Sequence, residues 1–98
     1  MIKKSYSKTG RSCRVTFDLP PELNATTASV CGDFNDWSPT ANTMKPRKGG
    51  RFSTTVSLEA GRTYRFKYFV DEERWENDWA ADGYEINDYG TEDSVVTV

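Results

Sequence analysis

Apolar and polar residues alternate with a period of two along much of the chain. Five stretches show this alternation, at residues 13–19, 30–32, 52–58, 64–70 and 94–98. Successive side chains of a β-strand point to opposite faces, so each stretch predicts a strand that buries one face. Turn sequences such as PPELN, NDWSP, KGG and NDYG separate the stretches. Two segments, PELNATTASV and DEERWENDWAAD, could pass for helices, but neither has apolar residues at helical spacing.

Several short strands with regular turns in a chain of 98 residues predict one all-β domain, residues 1–98. An antiparallel β-sandwich is the preferred architecture, and a small barrel is the alternative. The cysteine–tryptophan–cysteine spacing of antibody domains is absent, so an immunoglobulin-like interpretation depends on strand number and pattern alone.

Charge and cysteine usage narrow the class of partner and the compartment. The net charge is −2, from 13 basic and 15 acidic residues, which argues against nucleic acid as a partner. No apolar run is long enough to cross a membrane, and no apolar segment of a signal peptide follows Met1. We therefore expect a cytoplasmic protein without a membrane partner, in which Cys13 and Cys31 are reduced, buried thiols. Because the chain starts at Met1 and ends on a predicted strand, we also expect no attached catalytic domain.

The side chains that most enzymes use are missing or poorly placed. The chain has no histidine, which removes the commonest general base and most zinc sites. Within residues 78–89, Asp82 and Gly83 occupy the fifth and sixth positions of a calcium-binding loop, as in known loops. Ala80 and Tyr89, however, occupy the third and twelfth positions, where metal ligands are needed. The carboxylates nearest the aromatic loops lie in polar turns, where a catalytic pair across a cleft is not expected. We therefore predict no catalytic residue, no metal and no cofactor, and a protein that is not an enzyme.

All three tryptophans, Trp37, Trp75 and Trp79, fall in predicted loops rather than in the alternating strands. Exposed indoles are unfavourable in water, so their position needs an explanation. One explanation is structural, with each indole folded back as a lid over an open end of the sandwich. The other is a ligand with flat apolar faces, such as a sugar. Its hydroxyls would bond polar neighbours of the indoles, for example Asn35 beside Trp37.

The strand at residues 64–70 places one lysine where it could contact a ligand. If Phe66 and Tyr68 point into the core, Lys67 points to the outside. It then lies close in sequence to the loop that carries Trp75. An ordinary surface lysine and a ligand contact are both compatible with this position.

Four segments in this order carry a family resemblance: VCGDFNDWSP, GRFSTTVSL, GRTYRFKYFVDEERWENDW and YGTEDSVVTV. Together they resemble the family 48 carbohydrate-binding modules. These include the glycogen-binding domain of the AMP-activated protein kinase β subunit and the early-set domains of branching and debranching enzymes. The resemblance covers about residues 13–98 and rests on a G-x-F-N-x-W motif, a K-[FY]-x-[VI]-D strand and a following tryptophan. It implies an immunoglobulin-like sandwich of early-set type with about seven strands.

The resemblance also implies a set of sugar-binding residues by position: Trp37, Lys67, Trp75, Tyr89, Thr91 and Asp93. In the glycogen-binding members the tryptophans stack on glucose and the lysine bonds its hydroxyls. Tyr89 stands where a leucine is usual and Asp93 where an asparagine is usual, and a carboxylate cannot donate as an amide can. Trp79 has no counterpart in the kinase pattern, so it either extends the stacking platform or caps the sandwich.

The function that the resemblance implies is non-catalytic binding of α-1,4-linked glucan. The partner would be a glycogen-like or starch-like polysaccharide, or a malto-oligosaccharide. The alternative is a protein–protein interaction or regulatory adjunct domain, with a glucan-metabolising enzyme as its partner. Retardation of the protein in a native gel that contains glycogen would distinguish the two functions.

Overall fold

The chain folds into nine β-strands and three single-turn 3₁₀ helices in a computed structural model that describes residues 2–98. The strands are β1 (Lys3–Tyr6), β2 (Ser12–Leu19), β3 (Ala28–Gly32), β4 (Lys45–Pro46), β5 (Phe52–Glu59), β6 (Thr63–Val70), β7 (Arg74–Glu76), β8 (Gly83–Ile86) and β9 (Glu92–Thr97). The 3₁₀ helices lie in the connections, at Pro21–Leu23, Asp33–Asn35 and Lys48–Gly50. Met1, the first residue of the predicted domain, lies outside the described residues. Within residues 2–98 no helix has the length and apolar character required to cross a bilayer.

The strands form two antiparallel sheets that enclose one hydrophobic core. One sheet has the order β1-β2-β5-β4, and the other has the order β3-β6-β9-β8, with β7 also paired to β6. The predicted all-β sandwich is therefore confirmed, and the barrel alternative does not apply. The described chain has nine strands rather than the expected seven or so. The additional strands include β1, β4 and β7, which have only four, two and three residues and contain no buried residue.

The predicted alternation corresponds to burial in both sheets. In β2, Cys13, Val15 and Phe17 are fully buried. In β6, Phe66 is fully buried and Tyr68 is almost fully buried. The Phe17 ring centroid lies 5.0 Å from that of Phe66 and 6.5 Å from that of Tyr68. Aromatic pairs contribute about 0.5–1.5 kcal/mol beyond the area that they bury, so these contacts strengthen the packing of one sheet on the other.

The same parity places charged and aromatic side chains on the outer face of the β6 sheet. Arg65, Lys67 and Phe69 alternate with the buried residues of β6, as predicted. The strand register pairs Lys67 with Cys31 of β3, and Phe69 with Trp75 of β7. This outer face therefore brings together polar and aromatic groups from separate parts of the chain.

Both cysteines are buried and free, as predicted. Cys13 lies in the core between the sheets, whereas Cys31 alternates with the core residue Val30 and faces the outer side of its sheet. The segment after β3 folds back over this side, since the Ser29 hydroxyl donates to the Pro39 carbonyl oxygen at 2.8 Å. Burial raises the pKa of the Cys31 thiol, which favours the unreactive protonated form.

Candidate functional site

A cleft of about 840 Å³ lies on the outer face of the β3-β6-β9-β8 sheet, within the range of about 300–1,000 Å³ typical of ligand sites. Six of the predicted site residues line it: Trp37, Lys67, Trp75, Tyr89, Thr91 and Asp93. Four residues outside that prediction complete the lining: Asp33, Arg65, Asn87 and Asp88. The fold thus gathers into one concave surface the turn after β3, strands β6 and β7, and the β8–β9 region.

The turn after β3 begins at a position where only glycine fits. A Cβ atom at Gly32 would lie 2.4 Å from the Arg65 carbonyl oxygen and 2.9 Å from Phe66 Cβ. Two residues later, Phe34 packs against the core, with its ring centroid 5.6 Å from that of Phe17. The glycine and the phenylalanine of the G-D-F-N-D-W segment therefore fix this turn to the sandwich.

Asn35, a predicted ligand contact, forms the internal hydrogen bonds of the same turn. Its Oδ1 accepts the Gly32 N–H at 3.0 Å. Its Nδ2 donates to the Val30 carbonyl oxygen at 3.0 Å and to Asn42 Oδ1 at 2.7 Å. Asn35 is not among the residues that line the cleft. The structure thus shows that Asn35 stabilises the turn, and its contact with a ligand stays a prediction.

Trp37 reaches the cleft from a strained backbone position. Its φ is 57° and that of Asp36 is 55°, a left-handed conformation that costs roughly 1–2 kcal/mol for a residue other than glycine. The Trp37 N–H donates to the Gly32 carbonyl oxygen at 2.9 Å, and its indole Nε1–H donates to Asp33 Oδ1 at 3.2 Å. Asp33 Oδ2 in turn accepts the Arg65 backbone N–H at 2.9 Å. Asp33 therefore orients the indole, and the sequence offered no signal for this role beyond its place in the motif.

Trp75 forms the second aromatic surface of the cleft. It lies in β7 opposite Phe69 of β6, and the two ring centroids are 4.6 Å apart at an interplanar angle of 34°. Phe69 therefore supports the indole, while 49% of Trp75 remains exposed. An indole that is held by a neighbouring ring and open to solvent can stack on a ligand without first losing conformational freedom.

Charged groups with little solvent exposure form the base of the cleft. The Lys67 side chain is 13% exposed and that of Asp93 is 7% exposed. Lys67 Nζ lies 3.8 Å from Asp93 Oδ1 and donates to Thr91 Oγ1 at 3.3 Å. Arg65 Nη1 lies 3.6 Å from Asp93 Oδ2. Lys67 is therefore not an isolated surface lysine, because one buried carboxylate holds it and Arg65 together at the cleft.

Asn87 organises the turn between β8 and β9. Its Nδ2 donates to Thr91 Oγ1 at 2.8 Å and to Asp93 Oδ1 at 2.9 Å. Its Oδ1 accepts the backbone N–H groups of Tyr89 at 3.0 Å and Thr91 at 3.2 Å. Tyr89 stands on this turn with 92% of its surface exposed. Asn87 was not predicted as a site residue, although asparagine is typical of turns that bond to their own backbone.

Residues 12–98 match the protein family described as the glycogen recognition site of AMP-activated protein kinase. The chain belongs to this family. The match covers nearly the whole chain and confirms the resemblance that the sequence motifs indicated. No curated protein matches the chain significantly. The outer-face cleft is thus part of a glycogen-recognition domain, a class of carbohydrate-binding module.

Trp79 lies outside the cleft of this glycogen-recognition domain. It borders a separate hollow of about 220 Å³, which also contains residues from the end of β2 and the turn that follows. Trp79 is 61% exposed and does not belong to the core cluster. Trp79 therefore does not line the cleft with Trp37 and Trp75, and it is not a buried lid over the core.

Asp78 and Asp82, two carboxylates of the segment compared with a calcium loop, are engaged in protein contacts. Asp78 Oδ2 accepts the Tyr68 hydroxyl at 2.6 Å, and burial together with this carboxylate raises the pKa of Tyr68 well above its ordinary value. Asp82 Oδ2 pairs with Lys4 at 2.7 Å. Burial alone would raise the pKa of Asp82, but the bonds from Lys4 and the Thr97 N–H lower it. No group of three or more potential metal ligands is arranged for a metal ion within residues 2–98.

Proposed function

We propose that the domain binds α-1,4-linked glucan without catalysing a reaction, and that the outer-face cleft is its binding surface. The observation that carries this proposal is the presence of two indoles, Trp37 and Trp75, on one cleft that also contains the Lys67–Asp93 ion pair. An α-1,4-linked glucan has matching chemistry. Its glucose rings have apolar faces that can stack on indoles, and its hydroxyls can bond charged groups.

The polar groups of the cleft suit a ligand that both donates and accepts hydrogen bonds. Lys67 Nζ carries three N–H groups and can donate to sugar hydroxyls besides its bond to Thr91. Asp93 only accepts, so hydroxyls that contact it must act as donors. Tyr89 on the exposed β8–β9 turn offers a further apolar surface at the side of the cleft.

The proposal of a non-catalytic domain is supported by the way in which the cleft uses its carboxylates. Asp33 accepts two N–H groups, from the Trp37 indole and the Arg65 backbone. Asp93 holds the cations of Lys67 and Arg65. Two of the three carboxylates that line the cleft, Asp33 and Asp93, therefore position other cleft residues, and the chain has no histidine that could act as a general base.

Binding should be weak, because an open cleft orders few ligand atoms and water competes for the sugar hydroxyls. We expect dissociation constants of roughly 1 μM to 1 mM, or about −8 to −4 kcal/mol. Titration calorimetry with maltoheptaose and β-cyclodextrin measures this directly. Absence of heat and of competition at millimolar ligand would contradict the proposed function.

Trp75→Ala tests the role of the second indole, and Tyr6→Ala is a matched control. Tyr6 is 52% exposed, close to the 49% of Trp75, and lies on β1 outside the cleft. Loss of an aromatic anchor typically costs about 2 kcal/mol or more, so glucan affinity should fall by about 30-fold in Trp75→Ala. Stability should fall by only about 1 kcal/mol, since mainly the contact with Phe69 is lost.

The control variant should bind glucan as the wild type does. If Trp75 were a structural lid, its truncation would cost about 3–5 kcal/mol of stability, and loss of binding would only follow unfolding. Thermal melts together with retardation in a glycogen gel separate the two interpretations. Unchanged retardation of a folded Trp75→Ala variant would contradict the site assignment.

The second candidate function is docking on a glucan-metabolising enzyme, and one observation favours it. The edge strand β8 exposes two large apolar side chains, Tyr84 at 44% and Ile86 at 74%. Edge strands with exposed apolar residues can pair with another chain. Ile86→Lys should abolish such docking and leave retardation by glycogen unchanged, which a pull-down with a branching or debranching enzyme would show.

We propose the cytoplasm as the compartment in which the domain acts. Cys13 and Cys31 are both free and buried, and they face different layers of the fold. Free thiols of this kind persist in a reducing compartment. Cell fractionation with an antibody to the domain tests this location.

A further inference from the structure

We propose that the hollow beside Trp79 is a second sugar-contact site, which takes one pyranose unit of a neutral glucan. The hollow lies between the loop that follows β7 and the end of β2 with its following turn. Its volume is about 220 Å³, against about 840 Å³ for the Trp37–Trp75 cleft. The ligand class rests on the proposed function, whereas the presence of a second site rests on the local geometry.

The backbone around Trp79 is fixed although its indole is exposed. The Asp78 N–H donates to Ser94 Oγ at 2.9 Å, and the Asp78 carbonyl oxygen accepts the Tyr84 hydroxyl. On the other side, the Ala80 N–H donates to Asp78 Oδ1 at 2.7 Å. A core lid would be buried, but 61% of Trp79 is exposed. An exposed indole on a backbone segment that is held by its neighbours offers a surface for a flat apolar partner, because the backbone need not be ordered on binding.

The rest of the hollow supplies the groups that a sugar ring would meet. Pro20 adds an apolar ring to the hollow. Arg51 forms an ion pair with Asp18, so a sugar hydroxyl can accept a hydrogen bond from the guanidinium and donate one to the carboxylate. Glu22 and Asp78 also line the hollow, so three carboxylates stand against one guanidinium. This balance favours a neutral polyol over a phosphorylated or uronic sugar, because an anion would be repelled.

The size of the hollow limits what it can hold. A volume of about 220 Å³ lies below the range of about 300–1,000 Å³ that drug-sized ligands occupy, so one ring fits rather than an oligosaccharide. Affinity for a short sugar should therefore be lower here than in the larger cleft. The hollow becomes effective when a polysaccharide already held in that cleft supplies the second ring at high local concentration.

The two sites are close enough for one polysaccharide to contact both. Trp79 follows Trp75 by four residues. Since an extended chain rises at most about 3.6 Å per residue, their Cα atoms lie within about 14 Å of each other. Two linked contacts of this kind raise the apparent affinity for a long ligand without changing the affinity of either site.

Nuclear magnetic resonance of the labelled protein tests the proposal, because the three tryptophans give three separate indole N–H signals. Maltotriose should shift the Trp79 signal with its own saturation curve, and this shift should persist in Trp75→Ala. In a glycogen gel, Trp79→Ala should raise the apparent dissociation constant about tenfold or more, because avidity is lost. The dissociation constant of Trp79→Ala for maltotriose in the larger cleft should stay unchanged. The control Tyr6→Ala should behave as the wild type in both the resonance titration and the glycogen gel.

The outcomes separate this inference from the proposed function. A Trp79 signal that stays still while the Trp75 signal shifts to saturation would overturn the second site and leave the proposed function intact. Wild-type retardation of folded Trp79→Ala in glycogen would overturn it as well. If maltotriose shifts none of the three signals, the proposed function fails and the second site fails with it.

Discussion

Gly32→Ala introduces one methyl group at the start of the turn that carries Trp37. Gly32 has a φ of −169°, an extended conformation that any residue adopts, so alanine meets no backbone penalty there. Its Cβ would instead lie 2.4 Å from the Arg65 carbonyl oxygen, 2.8 Å from the Phe34 ring and 2.9 Å from Phe66 Cβ. The effect of this substitution is therefore purely steric.

The loss of stability in Gly32→Ala depends on whether the groups around the new methyl group can shift. A carbon and a carbonyl oxygen normally approach to about 3.3 Å, so the methyl group overlaps the Arg65 oxygen by about 0.9 Å. Arg65 cannot easily shift, because its N–H donates to Asp33 Oδ2 and because Arg65 itself pairs with Val95 of the neighbouring strand β9. Overpacking costs about 1–3 kcal/mol, and we expect the upper end of this range. In a domain of this size about 3 kcal/mol lowers Tm by about 12–24 °C.

Thermal melts followed by circular dichroism measure this loss, and Gly83→Ala is the matched control. Gly83 lies in β8 of the same sheet, and a Cβ atom there would meet no heavy atom within 4 Å. The control should therefore melt at or slightly above the wild-type temperature. Gly32→Ala should also lose retardation by glycogen at temperatures where it is still folded, because the turn that positions Trp37 is displaced. Equal Tm values for the two variants would show that the methyl group at Gly32 causes no clash.

Two further predictions concern pH and thiol chemistry. Asp71 accepts the backbone N–H groups of Thr27 at 3.0 Å and Thr26 at 2.6 Å, which lower its pKa below the ordinary 3.8. Its stabilisation is complete above about pH 3.8 and is lost as the pH falls through the lower folded-state pKa, so melts of Asp71→Asn should lie below wild type at neutral pH and converge with it in acid. A gap that persists in strong acid would contradict this. Cys13 and Cys31 are both 0% exposed, so a thiol reagent should label them only on unfolding, and fast labelling of folded Cys13 would mean that β2 faces the other way.

Strands β2 and β6 could be predicted from the sequence because each buries one face. β2 and β6 alternate between buried and more exposed residues over eight positions. The residue types along each strand show the same contrast, since the buried positions are apolar. β1 could not be predicted in this way, since all four residues of KKSY are exposed and no contrast exists between its two faces. β4 has only two residues, Lys45 and Pro46. Such edge strands exist because a neighbouring strand provides hydrogen-bond partners, which local sequence does not reveal.

The aromatic residues of the site could be proposed from motif resemblance, but the residues that position them could not. Asp33 bonds the Trp37 indole and also the backbone of Arg65, 32 positions away. Asn87 bonds Asp93, which pairs with Lys67 from another strand. A polar residue in a turn looks the same in sequence whether it faces water or another side chain. Its partner is decided when the strands pair.

The three tryptophans show the same division most clearly. The sequence placed Trp37, Trp75 and Trp79 in loops outside the alternating strands, but Trp75 lies in the short strand β7. The fold brings Trp37 and Trp75 to one cleft and Trp79 to another hollow, which could not be read from the sequence. The physical reason is that residue type records whether a side chain prefers burial, whereas its neighbours depend on strand register and on how the connecting turns cross the sheets.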